Sequence, residues 1–348
     1  MKKIPKRLIK IGLILLVIFT LFLLCSFINH RIKVKQDLSF LKDYDTGKII
    51  GIDNKKVNYK IFNEENKENT IVLMGGSGVS DLSLSFEPLA KNLNAKIILI
   101  NRPGYGFSDD TNEKATIEYI VNFYRDVLKE LNIIDKIYLM PHSISGMYAM
   151  YWAEFYPNEI NGIIGLDIGS PYLYVEEPNN KFTNYLSYLG SKFGIHRYIY
   201  KMGDSNTAIK NYDMYESDYF QAIWFMNSIN PYSKFNLSEE NLIKDNANKV
   251  IKSLNGNYYN INKLYIIADS INGEFYKKYE KANLMNYYKN EEKVKTYIET
   301  TKTSQEKKRN TLKTDEKTKF KFIEGPHLLY YYPTEELIQT INNFLKSI

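Results

Sequence analysis

The chain is poor in the residues that build covalently linked or metal-linked folds. It has one cysteine, Cys25, among 348 residues. No intrachain disulfide is possible, and a cysteine-rich metal site is excluded. Only four histidines occur, His30, His142, His196 and His327. Any chemistry that needs an imidazole must choose among them. The net charge is only +6, from 46 Lys and Arg against 40 Asp and Glu. No basic stretch is interleaved with aromatics, so nucleic acid is not an expected partner. The glycine turn Gly75-Gly76-Ser77-Gly78 lacks the Gly-Lys-Ser/Thr ending of a phosphate loop.

What is present suits a globular domain behind an apolar leader. The 44% hydrophobic content is enough for a core. The length fits one large α/β domain with an insertion, or two domains. Lys2, Lys3, Lys6, Arg7 and Lys10 precede an uncharged apolar run, Ile11–Ile28. A spanning helix needs roughly 20 such residues. The run is apolar on all faces, unlike a helix of a globular core. We expect a retained transmembrane anchor over residues 1–35, with the basic cluster in the cytoplasm and the remaining domain outside it. A cleaved signal is the rival, but no A-x-A-like site follows. Leu23-Leu24-Cys25 lacks the small residue a lipoprotein box carries before its cysteine. Arg31, Lys33 and Lys35 on the far side reduce the charge bias.

From Lys48 onward strands and helices alternate. Lys48–Ile52 and Val57–Phe62 read as a strand pair. Thr70–Met74 is a short buried strand that runs into the Gly75 turn. Lys96–Ile100 is another, ending in Asn101-Arg102-Pro103-Gly104-Tyr105-Gly106-Phe107-Ser108. Ile117, Ile120, Val121, Tyr124, Val127, Leu128 and Leu131 recur at helical spacing. Lys136–Met140 then reads as a strand delivering Pro141-His142-Ser143-Ile144-Ser145-Gly146, with a helix after it. Such alternation predicts a mostly parallel, eight-stranded sheet flanked by helices. Sites in these sheets lie at the carboxyl ends of the strands. Both turns and Ser143 lie at such ends.

Taken in order, these three motifs resemble those of the α/β-hydrolase superfamily. Met74-Gly75-Gly76 is similar to its H-G-x turn. Asn101 to Ser108 resembles D-R-x-G-x-G-x-S, with Asn101 in place of the acid. Pro141 to Gly146 resembles G-H-S-x-G-G, with Pro141 and Ser145 in place of glycines. The resemblance runs from about Gly47 to Ile348, insertions apart. It implies that Ser143 is a nucleophile on a strand-to-helix elbow. It also implies an oxyanion hole from the N–H of Ile144 with that of Gly76 or Ser77. His327, in Glu324-Gly325-Pro326-His327 after the last strand Phe320–Ile323, would be the general base. His142 is expected to pack beside the elbow, and His196 to be a surface or packing residue.

For the acid, three carboxylates compete. Most members place it after the strand Asn262–Asp269, which offers Asp269 and Glu274. A minority place it one strand earlier, where Asp167 follows Asn161–Leu166. Asp167 is preferred and Asp269 is the alternative.

Between residues 172 and 258 the alternation stops and aromatics such as Tyr185, Tyr188, Phe193, Tyr198, Tyr219 and Trp224 accumulate. The family inserts a helical lid here. The core would then comprise residues 45–171 and 259–348. Phe275–Thr318 is long and polar. Tyr279–Glu299 is read as a helix and Thr300–Lys317 as a solvated, mobile loop.

The expected protein is a membrane-anchored serine hydrolase acting on an apolar ester or amide. No cofactor and no metal are expected. A serine at position 143 disfavours the dehalogenase and epoxide-hydrolase branches, which use a carboxylate nucleophile. A prolyl-aminopeptidase-like hydrolase uses the same chemistry. A membrane-tethered binding protein that kept the scaffold and lost catalysis is the rival from another class.

Overall fold

A computed structural model describes residues 5–79, 82–176, 178, 180–202, 217–313 and 315–348. Lys2 and Lys3 of the basic cluster, and part of the expected lid, lie outside the described residues. The chain opens with one long helix, α1 (Lys6–Phe40), entered from an extended Pro5. It is long and apolar enough to cross a membrane. Its first half is exposed over every large apolar side chain from Leu8 to Phe22. Its second half is not, since Ser26, His30 and Asp37 are buried.

Among the described residues, eight strands form one sheet. They are β1 (Lys48–Ile52), β2 (Lys55–Phe62), β3 (Thr70–Met74), β4 (Lys96–Ile100), β5 (Ile137–Pro141), β6 (Ile160–Leu166), β7 (Asn262–Asp269) and β8 (Thr318–Glu324). Their order is β1-β2-β4-β3-β5-β6-β7-β8. The sheet is mixed rather than simply parallel. β2 runs antiparallel to both β1 and β4, while β3 to β8 run parallel to one another. The reversal comes from a two-residue turn. Asp53 and Asn54 both take positive φ, at 47° and 63°. That is the turn whose twist suits a hairpin, and Asn and Asp tolerate it.

Successive residues of the central strands feed opposite faces. Val72, Ile98 and Leu139 join one core, and Leu73, Leu99 and Met140 the other. After α2 (Glu87–Ala90), helices α3 (Ile117–Glu130) and α4 (Ser145–Phe155) cover the Val72 face. α3 is capped by Thr116, whose hydroxyl accepts from the N–H of Tyr119. Among the described residues, five α-helices lie between β6 and β7. They are α5 (Pro171–Glu176), α6 (Lys181–Lys192), α7 (His196–Met202), α8 (Ser217–Ile229) and α9 (Lys234–Ser253).

The polar stretch after β7 is not a loop. It forms α10 (Lys281–Tyr288) and the 22-residue α11 (Glu291–Leu312). The expected mobile segment Thr300–Lys317 is thus helical as far as Leu312. Its composition explains the correction. Gly and Pro are absent from Glu291 to Leu312, while Glu, Lys, Gln and Arg are good helix formers. The Asn290 side chain caps the start, accepting from Lys293 N–H, with Glu291 and Glu292 in the first turn. Only Val294 and Leu312 are buried, too few to show as an apolar period. The closing helix α12 (Glu335–Lys346) covers the Leu73 face through Leu337, Ile341 and Phe344.

Hydrogen exchange should show backbone protection across Lys295–Thr311. Leu312→Ala should cost about 2–5 kcal/mol in urea unfolding, the range for a buried leucine. Coil-like exchange in this stretch would contradict the helix.

Candidate active site

Ser143 stands between β5 and α4 with φ at 54°. A non-glycine residue in the left-handed region is costly unless its surroundings fix it. Here they do. The N–H of His142 donates to the Met74 carbonyl at 2.9 Å, and the Ser143 carbonyl accepts from Gly169 N–H at 3.1 Å. The two missing glycines of the motif are accounted for. A Cβ on Gly146 would lie 2.7 Å from the Ile168 Cβ, so Gly146 supplies the close approach. Ser145 is fully buried, and its hydroxyl donates to the carbonyl of Gly75. It ties the elbow to the glycine turn.

That turn lies against Ser143. A Cβ on Gly76 would sit 3.1 Å from the Ser143 Cβ and 2.7 Å from His142 Nδ1. The carbonyls of Gly75 and Gly76 accept from Arg102 Nη1 and Nη2, at 2.6 and 3.0 Å. In a trans peptide the N–H points opposite to the carbonyl. The N–H groups of Gly76 and Ser77 therefore face away from Arg102. Among the described residues, neither they nor the N–H of Ile144 has an acceptor. The Ser77 side chain is used elsewhere, as its hydroxyl bonds Glu240 and accepts from Asn236 at 3.2 Å.

Arg102 is held by a residue that sequence reading did not single out. Glu239 of α9 is fully buried, with Oε1 3.1 Å from Arg102 Nε. That contact is an ion pair bent too far to be a hydrogen bond. The hydroxyls of Tyr105 and Tyr148 donate to the same carboxylate at 2.5 and 2.8 Å. The Tyr105 ring stacks on the guanidinium at 4.5 Å. Burial alone would lower the arginine pKa, but the Glu239 charge outweighs it and pushes it up.

Asp167 follows β6 with φ at 44°. Its Oδ2 is 2.5 Å from His327 Nδ1. Its Oδ1 accepts from Lys308 Nζ at 2.7 Å and from Ala268 N–H at 3.3 Å. Burial raises the Asp167 pKa, but the His327 hydrogen bond and the Lys308 charge prevail and hold it at about 2. Lys308 lies on the second half of α11, the part from Thr300 onward that was expected to be a loop, and so was missed. Its seat is fixed by Gln305, whose amide donates to the Ala268 carbonyl at 2.8 Å.

The other two carboxylates are occupied away from His327. Asp269 accepts from Asn272 Nδ2 at 2.9 Å and from Ile271 N–H within its own turn. Glu274 is exposed and pairs with Lys277. His142 is buried beside the elbow. Its Nε2 lies 3.1 Å from the His327 carbonyl, and the two rings are 4.7 Å apart. Burial and the neighbouring His327 push its pKa down to about 3, so it is neutral and donates that bond. His142 thereby holds the His327 loop. His196 is a packing residue, buried with Nε2 3.0 Å from the Ser228 carbonyl. The side chain of His327 is half exposed. His327 reaches the elbow through His142, the neighbour of Ser143 in sequence, and among the described residues no hydrogen bond joins Ser143 to His327. Among the described residues no group of three or more His, Cys, Asp or Glu is placed to hold a metal ion.

Replacing Glu239 by Gln leaves Arg102 as an unpaired buried cation. Such a loss costs about 3–5 kcal/mol. Urea unfolding of Glu239→Gln should show it, and a change below about 1 kcal/mol would remove the pair's structural role.

The family model described as alpha/beta hydrolase fold matches residues 71–191. Over 151 residues the chain is 35% identical to the uncharacterized protein YbdG of Bacillus subtilis (strain 168), covering 43% of this chain and 45% of that one. Over 109 residues it is 34% identical to a proline iminopeptidase of Thermoplasma volcanium, covering 30% and 37%. These matches span less than half the length of either relative. The solved enol-lactonase of Burkholderia xenovorans LB400 superposes with a TM-score of 0.54 at 12% identity, covering 86% of this chain and 100% of that one. Ordered motifs, sheet topology and elbow agree with these likenesses, and the chain has the α/β-hydrolase fold.

Proposed function

We propose that this protein is a membrane-anchored serine hydrolase that cleaves an ester or amide through Ser143, His327 and Asp167. The observation that carries the reading is the 2.5 Å Asp167–His327 bond beside a serine at φ 54°. With Nδ1 committed to Asp167, the imidazole presents Nε2 as its basic nitrogen. His327 takes the Ser143 proton as Oγ attacks the carbonyl. Asp167 fixes the tautomer and stabilises the imidazolium. The N–H of Ile144, with that of Gly76 or Ser77, holds the oxyanion. His327 then returns the proton to the leaving group. Water, activated by the same imidazole, releases the acyl group. In an unliganded site the nucleophile–base bond is commonly long, and it closes when substrate arrives.

The helices between β6 and β7 serve as the lid, over residues 172–258. α9 reaches the oxyanion turn through Glu239 and Glu240. The aromatic content of this insert favours an apolar substrate. The likeness to a proline iminopeptidase keeps amide substrates beside esters. The anchor is proposed to be retained, because its second half is built into the domain. Asp37 pairs with Arg197 at 2.6 Å, and Leu41, just beyond the helix, is in the core. The domain is proposed to lie outside the cytoplasm.

A fluorophosphonate probe should label the wild type, and Ser143→Ala and His327→Ala should abolish labelling. A well-folded wild type that resists the probe would favour a binding role. In a screen of p-nitrophenyl esters and aminoacyl anilides, Asp167→Asn should lower kcat on the order of 10³–10⁴-fold. Asp269→Asn should leave it nearly unchanged, and a large loss only at Asp269 would overturn the assignment. Asp167 also links stability to pH. Its folded pKa of about 2 lies below its ordinary 3.8. Its contribution is therefore complete above the ordinary value and lost as pH falls toward the folded one. The stability gap between wild type and Asp167→Asn should shrink across that window.

A further inference from the structure

The contacts between α1 and the insert fall within the apolar run itself. Ser26 Oγ donates to the Phe193 carbonyl at 2.6 Å. Phe27 meets Phe193 with ring centroids 6.4 Å apart, and Phe22 meets Tyr198 at 6.1 Å. A Cβ on Gly194 would lie 2.4 Å from the His30 Cβ, so the α6–α7 turn is pressed onto the helix. Just beyond the run the contacts become polar. Arg197 donates to His30 Nδ1 at 2.9 Å and to Asp37 at 2.6 Å. The insert is thus clamped at a fixed height on α1.

That height decides where the insert lies. Spanning the roughly 30 Å hydrocarbon core takes about 20 helical residues. The uncharged run Ile11–Ile28 is barely that long. If the bilayer stopped short of Phe22, Ile11–Leu21 would cover only about 16 Å. So α1 can span only if the level of Phe22 to Ile28 is in lipid. The α6–α7 turn shares that level. Its surface is suited to it: Ile199 is 62% exposed, Leu186 49% and Tyr198 37%. Leu186, Ile195, Ile199, Pro231 and Tyr232 line a groove of about 450 Å³ between α6 and α7. Arg197, paired with Asp37, falls at the headgroup level.

We infer that the α6–α7 turn is inserted in the bilayer beside α1, and that its groove is occupied by lipid acyl chains. This rests on the proposed anchoring by α1. The insert then stays at the membrane surface through the whole of the enzyme's cycle, held by the same helix that anchors the chain. The occupant follows from depth and chemistry. At this level the surroundings are hydrocarbon, and the exposed Leu186, Tyr198 and Ile199 are apolar, with Thr183 and Ser187 as uncharged polar neighbours in the groove.

The test uses the full chain with Cys25→Ser, reconstituted in phosphatidylcholine vesicles. Single cysteines at Ile199→Cys or Leu186→Cys carry an environment-sensitive fluorophore. Leu16→Cys reports the span. Ile134→Cys, 90% exposed in the loop after α3, reports water. Circular dichroism confirms folding of each variant, and the two groove positions give independent readings. Doxyl-labelled lipid should quench Ile199 and Leu186 to an extent comparable with Leu16, and leave Ile134 unchanged. Quenching at Leu16 with either groove position behaving like Ile134 overturns the inference and leaves the anchor standing. No quenching at Leu16 overturns the anchor, and the inference with it.

Discussion

The site depends on a buried ion pair that stands outside the proposed triad. Arg102 and Glu239 are almost wholly removed from water. Desolvating two such charges is expensive, and their attraction repays it only with extra hydrogen bonds. Those are present in Tyr105, Tyr148 and the carbonyls of Gly75 and Gly76. The pair therefore does two things at once. It turns the glycine peptides so that their N–H groups are left free, and it fastens α9 of the insert to the sheet. Ser145 adds a third tie, from the elbow to the same Gly75 carbonyl. Glycine turn, elbow and insert are coupled through one polar cluster, and preorganised donors of this kind are what the proposed acyl transfer requires.

A second cluster sets the acid–base pair. Asp167 is approached from three elements, by His327 after β8, Lys308 on α11 and Ala268 on β7. His142 steadies the His327 loop from beneath through its carbonyl. The proposed triad is thus supported from both sides. A carboxylate this deeply buried stays ionised because its partners outweigh its desolvation.

Much of this was legible in the sequence, and the reason is local. Strand-turn-helix patterns, glycine turns and a histidine after the last strand are written in contiguous residues. They placed Ser143, Gly76, Asp167 and His327 at strand ends. What was not legible depends on distance. Glu239 finds Arg102 across 137 positions, and Lys308 finds Asp167 across 141. Nothing near Glu239 or Lys308 marks either as more than a surface charge. α11 was misread because two buried anchors in 22 residues leave no apolar period. The β1–β2 pair was legible from its connecting turn, whereas the antiparallel run of β2 beside β4 was not, because no local turn joins those two strands. The departures at Pro141 and Ser145 looked like weaknesses of the motif, yet Ser145 makes a bond that glycine could not.

The α1 helix extends the same coupling outward. Its apolar half is exposed, while its second half is clamped to the insert that is in turn clamped to the oxyanion turn. The proposed anchor, the insert and the elbow that carries Ser143 form one mechanical chain. The account stands or falls on covalent chemistry at Ser143. Rapid-quench mass spectrometry with a p-nitrophenyl ester that the enzyme turns over tests it most directly. The account predicts a p-nitrophenol burst and an acyl adduct on the peptide that carries Ser143. Turnover with no adduct there, or an adduct on another residue, would contradict it.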